Sequence, residues 1–210
     1  MVEHWFRQVQ TREYCAMFHA IAVENDAMTP EQYWYWLTRI WTEVERPLTF
    51  AGAEYWADVW NRCNGDSRTI DEQDREELDA LPEHLRVYRG FAVGVAERAS
   101  IRLKGDDLIA GYSPQFCLGL SWTTELKDAE WFARRYAIQG RMPGVAVKEI
   151  KKEDILFYTN GRKEHEAVID PYKSPINKGT MDCPSRYVAG QSPVLGYVLK
   201  WLTAKEIAKE

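Results

Sequence analysis

The spacing of apolar residues changes near residue 85, and this change constrains the fold more than any other feature of the sequence. Upstream, apolar side chains recur three and four positions apart, which is typical of helices that bury one face. One such helix is expected to begin with Thr29 as its N-cap and Pro30 at its first position. Its core-facing stripe consists of Tyr33, Leu37, Ile40 and Val44. Further helices are expected over residues 3–24, 52–63 and the charged run that ends near Pro82.

Downstream of residue 85 the apolar residues alternate with polar ones or form short runs, as they do in β-strands. The expected strands are 85–94, 119–124, PGVAVKEI, DILFY, EHEAVI and VLGYVLKWL. A helix, ELKDAEWFARRYAI, interrupts them, and Thr124 is placed to cap it. Residues 171–193 read as a long irregular connection. We therefore expect an α+β protein, with a helical N-terminal lobe over residues 1–80 and a mainly β domain over residues 81–210.

Charge and cysteine usage restrict the classes of function and the compartment. The 27 basic and 32 acidic residues give a net charge of -5, and neither sign forms a long block, so general binding of nucleic acid by a basic surface is disfavoured. The four cysteines lie far apart without ligand spacing, so neither a zinc site nor a disulfide framework is expected. No apolar run has the length that spans a bilayer, and the charged N-terminus does not resemble a signal peptide. We expect a cytoplasmic protein that does not bind membranes.

Two of the expected strands carry polar residues where apolar ones would be ordinary. Arg89 stands in the middle of the strand 85–94, directly before Gly90, which has no side chain and would let a ligand or another backbone approach closely. An arginine fork suits bidentate pairing with phosphate or carboxylate. Ser121 and Thr123 share one face of the next strand, and two hydroxyl groups there can hold a backbone or a sugar. These positions suggest a site for an anionic ligand.

A pair of glutamates follows in the segment GRKEHEAVID. Alternation along a strand would point Glu164 and Glu166 to the same face and His165 to the opposite one. Two carboxylates held that close raise each other's pKa, so the arrangement requires a reason. A solvated strand edge is the simple explanation for an isolated pair. Together with Arg89, the pair instead indicates a centre that becomes cationic beside a bound anion.

The motifs VYRG, GLSWTT with its helix DAEWFARRY, and KEHEAVID resemble, in this order, the signature of mono-ADP-ribosyltransferases of the arginine, Ser-Thr-Ser and Glu-x-Glu group. That group includes bacterial toxins and phage-encoded enzymes. The resemblance covers residues 85–170 and extends plausibly to about residue 202, while the helical first third has no recognised counterpart. It implies a mixed, mostly antiparallel β-sandwich of ADP-ribosyltransferase type and NAD as co-substrate, with no metal.

The resemblance also implies which residues hold NAD. Arg89 would bind the phosphates, with Gly90 beside it, and Ser121 would stabilise the cleft around Arg89 and the ribose next to nicotinamide. The hydroxyl motif departs from the family at its second and third positions, which are Trp122 and Thr123 here. Thr123 keeps a hydroxyl group, and alternation would turn Trp122 into the core, so both changes are compatible with the motif.

The roles of the two glutamates follow from the same resemblance. Glu166 would be the catalytic glutamate, which contacts the ribose hydroxyl and stabilises the cationic transition state as nicotinamide leaves. Glu164 would orient or deprotonate the acceptor, and a glutamate at this position often accompanies arginine acceptors. The segment FYTNGRK would recognise the target, with Phe157 or Tyr158 as the contact.

Several functions stay open from the sequence. The leading expectation is transfer of ADP-ribose from NAD to a macromolecule, most readily to arginine on a target protein, by a phage or bacterial effector. NAD hydrolysis and transfer to nucleic acid are alternatives on the same fold. A binding module with an idle cleft, and an assembly protein in which the motifs coincide by chance, are alternatives of other classes. Retention of Arg89, Ser121, Glu164 and Glu166 together argues against an idle cleft.

Overall fold

Two compact units make up the chain, Met1–Ile70 and Asp71–Glu210. The computed structural model describes residues 10–44, 47–63, 68–94, 101–104, 107–110, 119–137, 141–171 and 197–201. The division falls ten residues earlier than the boundary expected from the sequence, between 80 and 81. The reason is that the charged segment 72–80 folds as a helix on the β part of the chain, to which its buried residues Asp74 and Leu78 belong.

The first unit is helical over its described residues. Its helical segments are a 3-10 turn Thr11–Glu13, α1 (Tyr14–Phe18), a π-helical stretch His19–Glu24, α2 (Pro30–Glu43), a 3-10 turn Pro47–Thr49 and α3 (Ala53–Asn61). Thr29 caps α2 as predicted, because its hydroxyl accepts from the amide of Gln32 at 3.3 Å while the Gln32 side chain accepts from the Thr29 amide at 3.1 Å. The helix expected over 3–24 is present from residue 11, and residues 1–9 lie outside the described part.

Tryptophans form the core of the first unit. Leu37 and Ile40 of the predicted stripe are fully buried. Trp41 packs edge to face against Trp56 and Trp60, with ring centroids 6.1 Å and 5.6 Å apart. The stripe of α2 therefore packs between helices, as the periodicity predicted.

The second unit combines two helices with an antiparallel sheet, so its architecture is α+β. Its helices are α4 (Glu72–Ala80) and α5 (Leu126–Tyr136). Its strands are β1 (His84–Val93), β2 (Ile101–Lys104), β3 (Asp107–Ala110), β4 (Ser121–Thr123), β5 (Met142–Lys151), β6 (Ile155–Thr159), β7 (Glu166–Ile169) and β8 (Tyr197–Trp201). Most of the long connection predicted over 171–193 lies outside the described residues.

The strands form one hydrogen-bonded sheet in the order β2-β3-β8-β5-β1-β4-β7-β6. Each pairing between described strands is antiparallel, so the parallel pairs implied by a mixed sheet are not found among them. The described strands also belong to a single sheet, so the second sheet of the expected β-sandwich is not found among them. The order places β4 between β1 and β7, although β5 and β6 separate β4 from β7 along the chain. Residues far apart in sequence therefore meet on three neighbouring strands.

Helix α5 packs against β1 and β5 through small residues. Ala129 and Ala133 of α5 are fully buried against Val145, with Tyr88 alongside. Gly90 makes the close approach possible, because a Cβ atom there would overlap the carbonyl oxygen of Ala129. The sequence predicted that a ligand or another backbone approaches Gly90, and in the structure the backbone of α5 does so.

The start of α5 differs from the prediction. Glu125 and not Thr124 is the N-cap residue, and its side chain makes no capping hydrogen bond. The amide of Glu125 instead donates to the Thr123 hydroxyl at 3.1 Å. The amide of Thr124 donates to the carbonyl oxygen of His165 at 3.1 Å, which ties this corner to the segment before β7. Within the described residues, no helix is long and apolar enough to cross a membrane.

Candidate active site

The register of three strands brings the polar positions together. Tyr88 of β1 lies opposite Thr123 of β4, and Thr123 lies opposite Glu166 of β7. Residues opposite each other in an antiparallel pair share a face, so the hydroxyl of Thr123 and the carboxylate of Glu166 project together. A cleft opens beside them. Its lining consists of Tyr88, Arg89, Gly90, Ser121, Trp122, Thr123, Phe132, Tyr136, Glu164 and Glu166.

Arg89 reaches the cleft beside the start of β4. Tyr88 lies opposite Thr123, so these two residues share one face of the sheet, and alternation starts the Arg89 side chain on the other face. From there an arginine in the middle of a sheet would not reach the Ser121 and Thr123 hydroxyls. The guanidinium lies against Gly119 and donates from Nη1 to the carbonyl oxygen of Ser121. A side chain at Gly119 would occupy the position of the guanidinium. Gly119 is therefore a site residue that the sequence analysis missed, and its signal was the glycine that opens GLSWTT.

Trp122 secures the same corner from inside the core. Its ring is 3% exposed and packs in the cluster that contains Val87 and Phe91, as expected from alternation. The indole Nε1 donates to the carbonyl oxygen of Gly119 at 2.8 Å. The tryptophan that departs from the family motif thus positions the glycine against which Arg89 lies.

The two glutamates do not share a strand, so the prediction based on alternation is wrong. Strand β7 begins at Glu166, and Glu164 lies in the preceding turn. Lys163 and His165 in this turn have φ values of 58° and 45°, in the left-handed region that residues with side chains rarely adopt. Both carboxylates nevertheless line the cleft. The turn, and not a regular strand, therefore sets their relative position.

One arginine bridges the two carboxylates. Arg162 places its Nε 3.2 Å from Oε2 of Glu164 and its Nη2 3.2 Å from Oε2 of Glu166. The Glu166 side chain is 7% exposed, whereas the side chains of Glu164 and Arg162 are 26% and 54% exposed. Burial raises the pKa of Glu164 above its ordinary value, and the neighbouring Glu166 raises it further, while Arg162 counteracts both. A carboxylate with a raised pKa beside a buried carboxylate suits acid and base work at the mouth of the cleft.

A histidine and an aspartate hold the turn from the side of α5. His165 Nδ1 lies 2.9 Å from Oδ2 of Asp128, and both side chains are largely buried. Through this contact Asp128 of α5 holds His165 in its left-handed conformation. The contact therefore restrains the backbone between Glu164 and Glu166. Because the side-chain partner of His165 is Asp128 of α5, we assign it a positioning role.

Helix α4 holds the other end of the turn. The buried carboxylate of Asp74 accepts from the amide of Asn160 at 2.8 Å. Glu77 accepts from the Asn160 side chain at 3.0 Å and from the Tyr158 hydroxyl at 3.1 Å. Asn160 in turn accepts from the amide of His165 at 3.3 Å. Asp74 and Glu77 were missed because their contacts with Tyr158 and Asn160 join positions more than eighty residues apart, for which a single sequence carries no signal.

The predicted target contacts, Phe157 and Tyr158, lie outside the cleft. Both belong to β6, with exposures of 0% and 1%, so neither ring is available to a partner. The apolar run DILFY is a core strand, and this explains their aromatic character. Two aromatic residues that line the cleft come from α5, where the Phe132 and Tyr136 rings stack with centroids 6.0 Å apart. Tyr136 is half exposed and is the stronger candidate for a contact with a ligand or target.

The arrangement combines an anion site with a site for positive charge. Arg89 lines the same cleft as Glu164 and Glu166. Such a pairing can hold a phosphate ester at one end and stabilise a cation at the other. Among the residues that the structure describes, no group of three or more His, Cys, Asp or Glu side chains could hold a metal ion. No protein-family model matches the chain, and neither the curated proteins nor the solved structures contain a significant match.

Proposed function

We propose that this protein is an NAD-dependent mono-ADP-ribosyltransferase that releases nicotinamide and transfers ADP-ribose to a macromolecule. The observation that carries the proposal is the convergence of Arg89, Ser121, Glu164 and Glu166 on one cleft from β1, β4, the turn before β7 and the start of β7. The order of these residues along the chain suggested this function. Their proximity in space is a separate observation that supports it, because alternation along single strands does not bring them together. The proposal includes the ADP-ribosyltransferase type of fold for the second unit.

Arg89 is proposed to bind the phosphates of NAD. Its guanidinium is held between Gly119 and the Ser121 carbonyl oxygen, so it is positioned before the substrate binds. Positioning in advance lowers the entropic cost of pairing with a phosphate. Ser121, only partly buried at the edge of the same cleft, can donate to the ribose or support Arg89.

Glu166 is proposed to stabilise the transition state. Cleavage of the bond between ribose and nicotinamide leaves positive charge on the ribose, as in glycoside hydrolysis. A buried carboxylate fixed by strand pairing interacts more strongly with that charge than with the neutral ribose of the ground state. The contribution of such a group is on the order of a hundredfold or more in rate.

Glu164 is proposed to receive the proton of the acceptor. It lies at the more exposed edge of the cleft, where a macromolecule can reach it, and its raised pKa makes it a better base than an ordinary glutamate. The contact of Glu164 with a guanidinium in this structure favours arginine as the acceptor. The proposed context is an effector from a phage or bacterium that modifies a protein in the cytoplasm of the cell in which it acts.

Incubation of the purified protein with labelled NAD and a bacterial lysate tests the proposal. We expect label on a discrete protein band with the wild type and none with Glu166→Gln. Glu164→Gln is expected to lose transfer while it keeps some release of nicotinamide. Release of nicotinamide without protein label would favour NAD hydrolysis, and label on nucleic acid would change the acceptor. A wild-type protein that neither binds nor consumes NAD would show that the proposal is wrong.

A further inference from the structure

The guanidinium of Arg162 lies against both glutamates of the cleft. It contacts Glu164 through Nε and Glu166 through Nη2, each at 3.2 Å, and so touches both carboxylates that the proposed reaction uses. Its side chain is 54% exposed, so it is not locked in the core. No partner chain is needed to bring this guanidinium to the two glutamates, because they lie two and four residues further along the chain, in the same turn and at the start of β7.

We propose that Arg162 is a modification site, at which the protein ADP-ribosylates itself. The inference rests on the proposed function, because it takes NAD as the donor and Glu164 and Glu166 as the reacting groups. It goes beyond the proposed function, because transfer to a target protein does not require an acceptor within the enzyme's own chain. The modification is intramolecular, since Arg162 contacts the glutamates of its own chain.

The reaction balances without any further reactant. The bond between the ribose anomeric carbon and the nicotinamide nitrogen breaks, and its electron pair leaves with nicotinamide, which becomes neutral. A terminal nitrogen of Arg162 forms the new bond to that carbon, and the proton it loses passes to Glu164 and then to solvent. The guanidinium of the product keeps its positive charge, so one positive charge leaves as the released proton. The ribose hydroxyl takes the place of Nη2 on Glu166, while Nε stays near Glu164.

The surrounding contacts explain why this arginine is preferred over its neighbours. Arg135 lies over the ring of Trp131, with its guanidinium carbon 5.1 Å from the ring centroid. Arg134 is paired with Glu130 at 3.9 Å on its own helix. Arg162, in contrast, contacts both glutamates of the cleft. The restrained turn keeps it there, since Asn160 and His165 on either side are anchored to α4 and α5. High effective concentration in a fixed geometry favours reaction at this nitrogen.

Mass spectrometry of the full-length protein after incubation with NAD tests the inference. We expect one ADP-ribose on the peptide that contains Arg162, with a rate that does not depend on protein concentration. Arg162→Lys keeps a cation but has no guanidino group, so label per nicotinamide released should fall at least tenfold. The matched control is Arg86→Lys, an exposed arginine paired with Glu149 at 3.1 Å, which should leave labelling intact. A differently tagged Glu166→Gln chain, mixed with the wild type, should stay unlabelled.

The outcomes separate the two proposals. Release of nicotinamide with label absent, or on residues other than Arg162, would overturn Arg162 as the modification site and leave the proposed function standing. Label on the tagged Glu166→Gln chain at Arg162 would overturn the intramolecular route. Absence of nicotinamide release would overturn the proposed function and the inference that rests on it.

Discussion

At the scale of single residues, the cleft depends on charges that are held close together. Glu164 and Glu166 face one guanidinium, and Arg135 and Asp128 lie near enough to influence Glu164. Burial is the largest influence on Glu164, and it outweighs the favourable effect of Arg162, so the pKa of Glu164 is raised. A raised pKa means that the folded state binds this proton more tightly than the unfolded chain does.

The pKa of Glu164 predicts a pH-dependent contribution to stability. The contribution is fully present below the ordinary pKa of 4.5 and is lost as the pH rises through the raised value in the folded protein. Glu164→Gln removes the titration, so the free energy of unfolding of the wild type, relative to the variant, should decrease over this window. Denaturant unfolding of both proteins across the acid range measures it. Parallel stability curves would contradict the assignment.

Gly119→Ala is expected to weaken NAD binding with little effect on stability. A methyl group there would displace the Arg89 guanidinium, which ends a flexible side chain and can move at small cost. Displacement of this anion-binding group should raise KM for NAD about tenfold, or about 1.4 kcal/mol, with a smaller change in kcat. Gly52→Ala is the matched control, since nothing lies within 4 Å of a Cβ atom there. Unchanged KM in Gly119→Ala would show that Arg89 does not bind NAD from this position.

At the scale of elements, the turn that carries the glutamates is positioned by two helices. Asp74 and Glu77 of α4 hold Asn160, and Asp128 of α5 holds His165. Neither helix supplies a reacting carboxylate. The helices restrain a turn in which Lys163 and His165 adopt unfavourable left-handed conformations. The cleft therefore depends on α4 although this helix lies far from it in sequence.

Asp74→Ala tests the role of α4. The substitution leaves the amide of Asn160 without its acceptor, and we expect a loss of about 1–3 kcal/mol in the free energy of unfolding. The transfer rate should fall as well, because the turn loses a restraint, whereas Asp74→Asn keeps an acceptor oxygen and should recover much of both. Glu76→Ala on the exposed side of the same helix is the control. Equal behaviour of Asp74→Ala and Glu76→Ala in urea unfolding and in the transfer assay would contradict this role.

Local signals explain which elements could be predicted from the sequence. The cap and stripe of α2 depend on residues within one helix, so Thr29, Leu37 and Ile40 behave as the pattern indicated. Thr124 was misassigned because α5 begins one residue later than the pattern indicated, with Glu125 as its N-cap, and the amide of Thr124 is bonded to His165 far along the chain. The left-handed residues Lys163 and His165 could not be predicted, since no glycine marks the turn at these positions.

At the scale of the whole molecule, the order of strands in the sheet determines which predicted residues meet. Arg89, Ser121 and Glu166 were identified as unusual polar residues in separate strands, but the sequence alone could not place β4 between β1 and β7. The interactions of Asp74 with Asn160 likewise depend on that arrangement. The prediction that Phe157 or Tyr158 contacts the target was wrong because an aromatic pair near a motif can belong to a loop or to a core strand, and here it belongs to β6.

The most direct test of the central claim is release of nicotinamide from NAD by the purified protein, with Glu166→Gln and Glu149→Gln beside it. Glu166 is buried in the cleft, whereas Glu149 is an exposed glutamate paired with Arg86 on β1. The wild type and Glu149→Gln are predicted to release nicotinamide at similar rates. The rate for Glu166→Gln is predicted to be lower by a factor of about one hundred or more. Equal rates for wild type and Glu166→Gln, or no release by any of the three proteins, would contradict the claim.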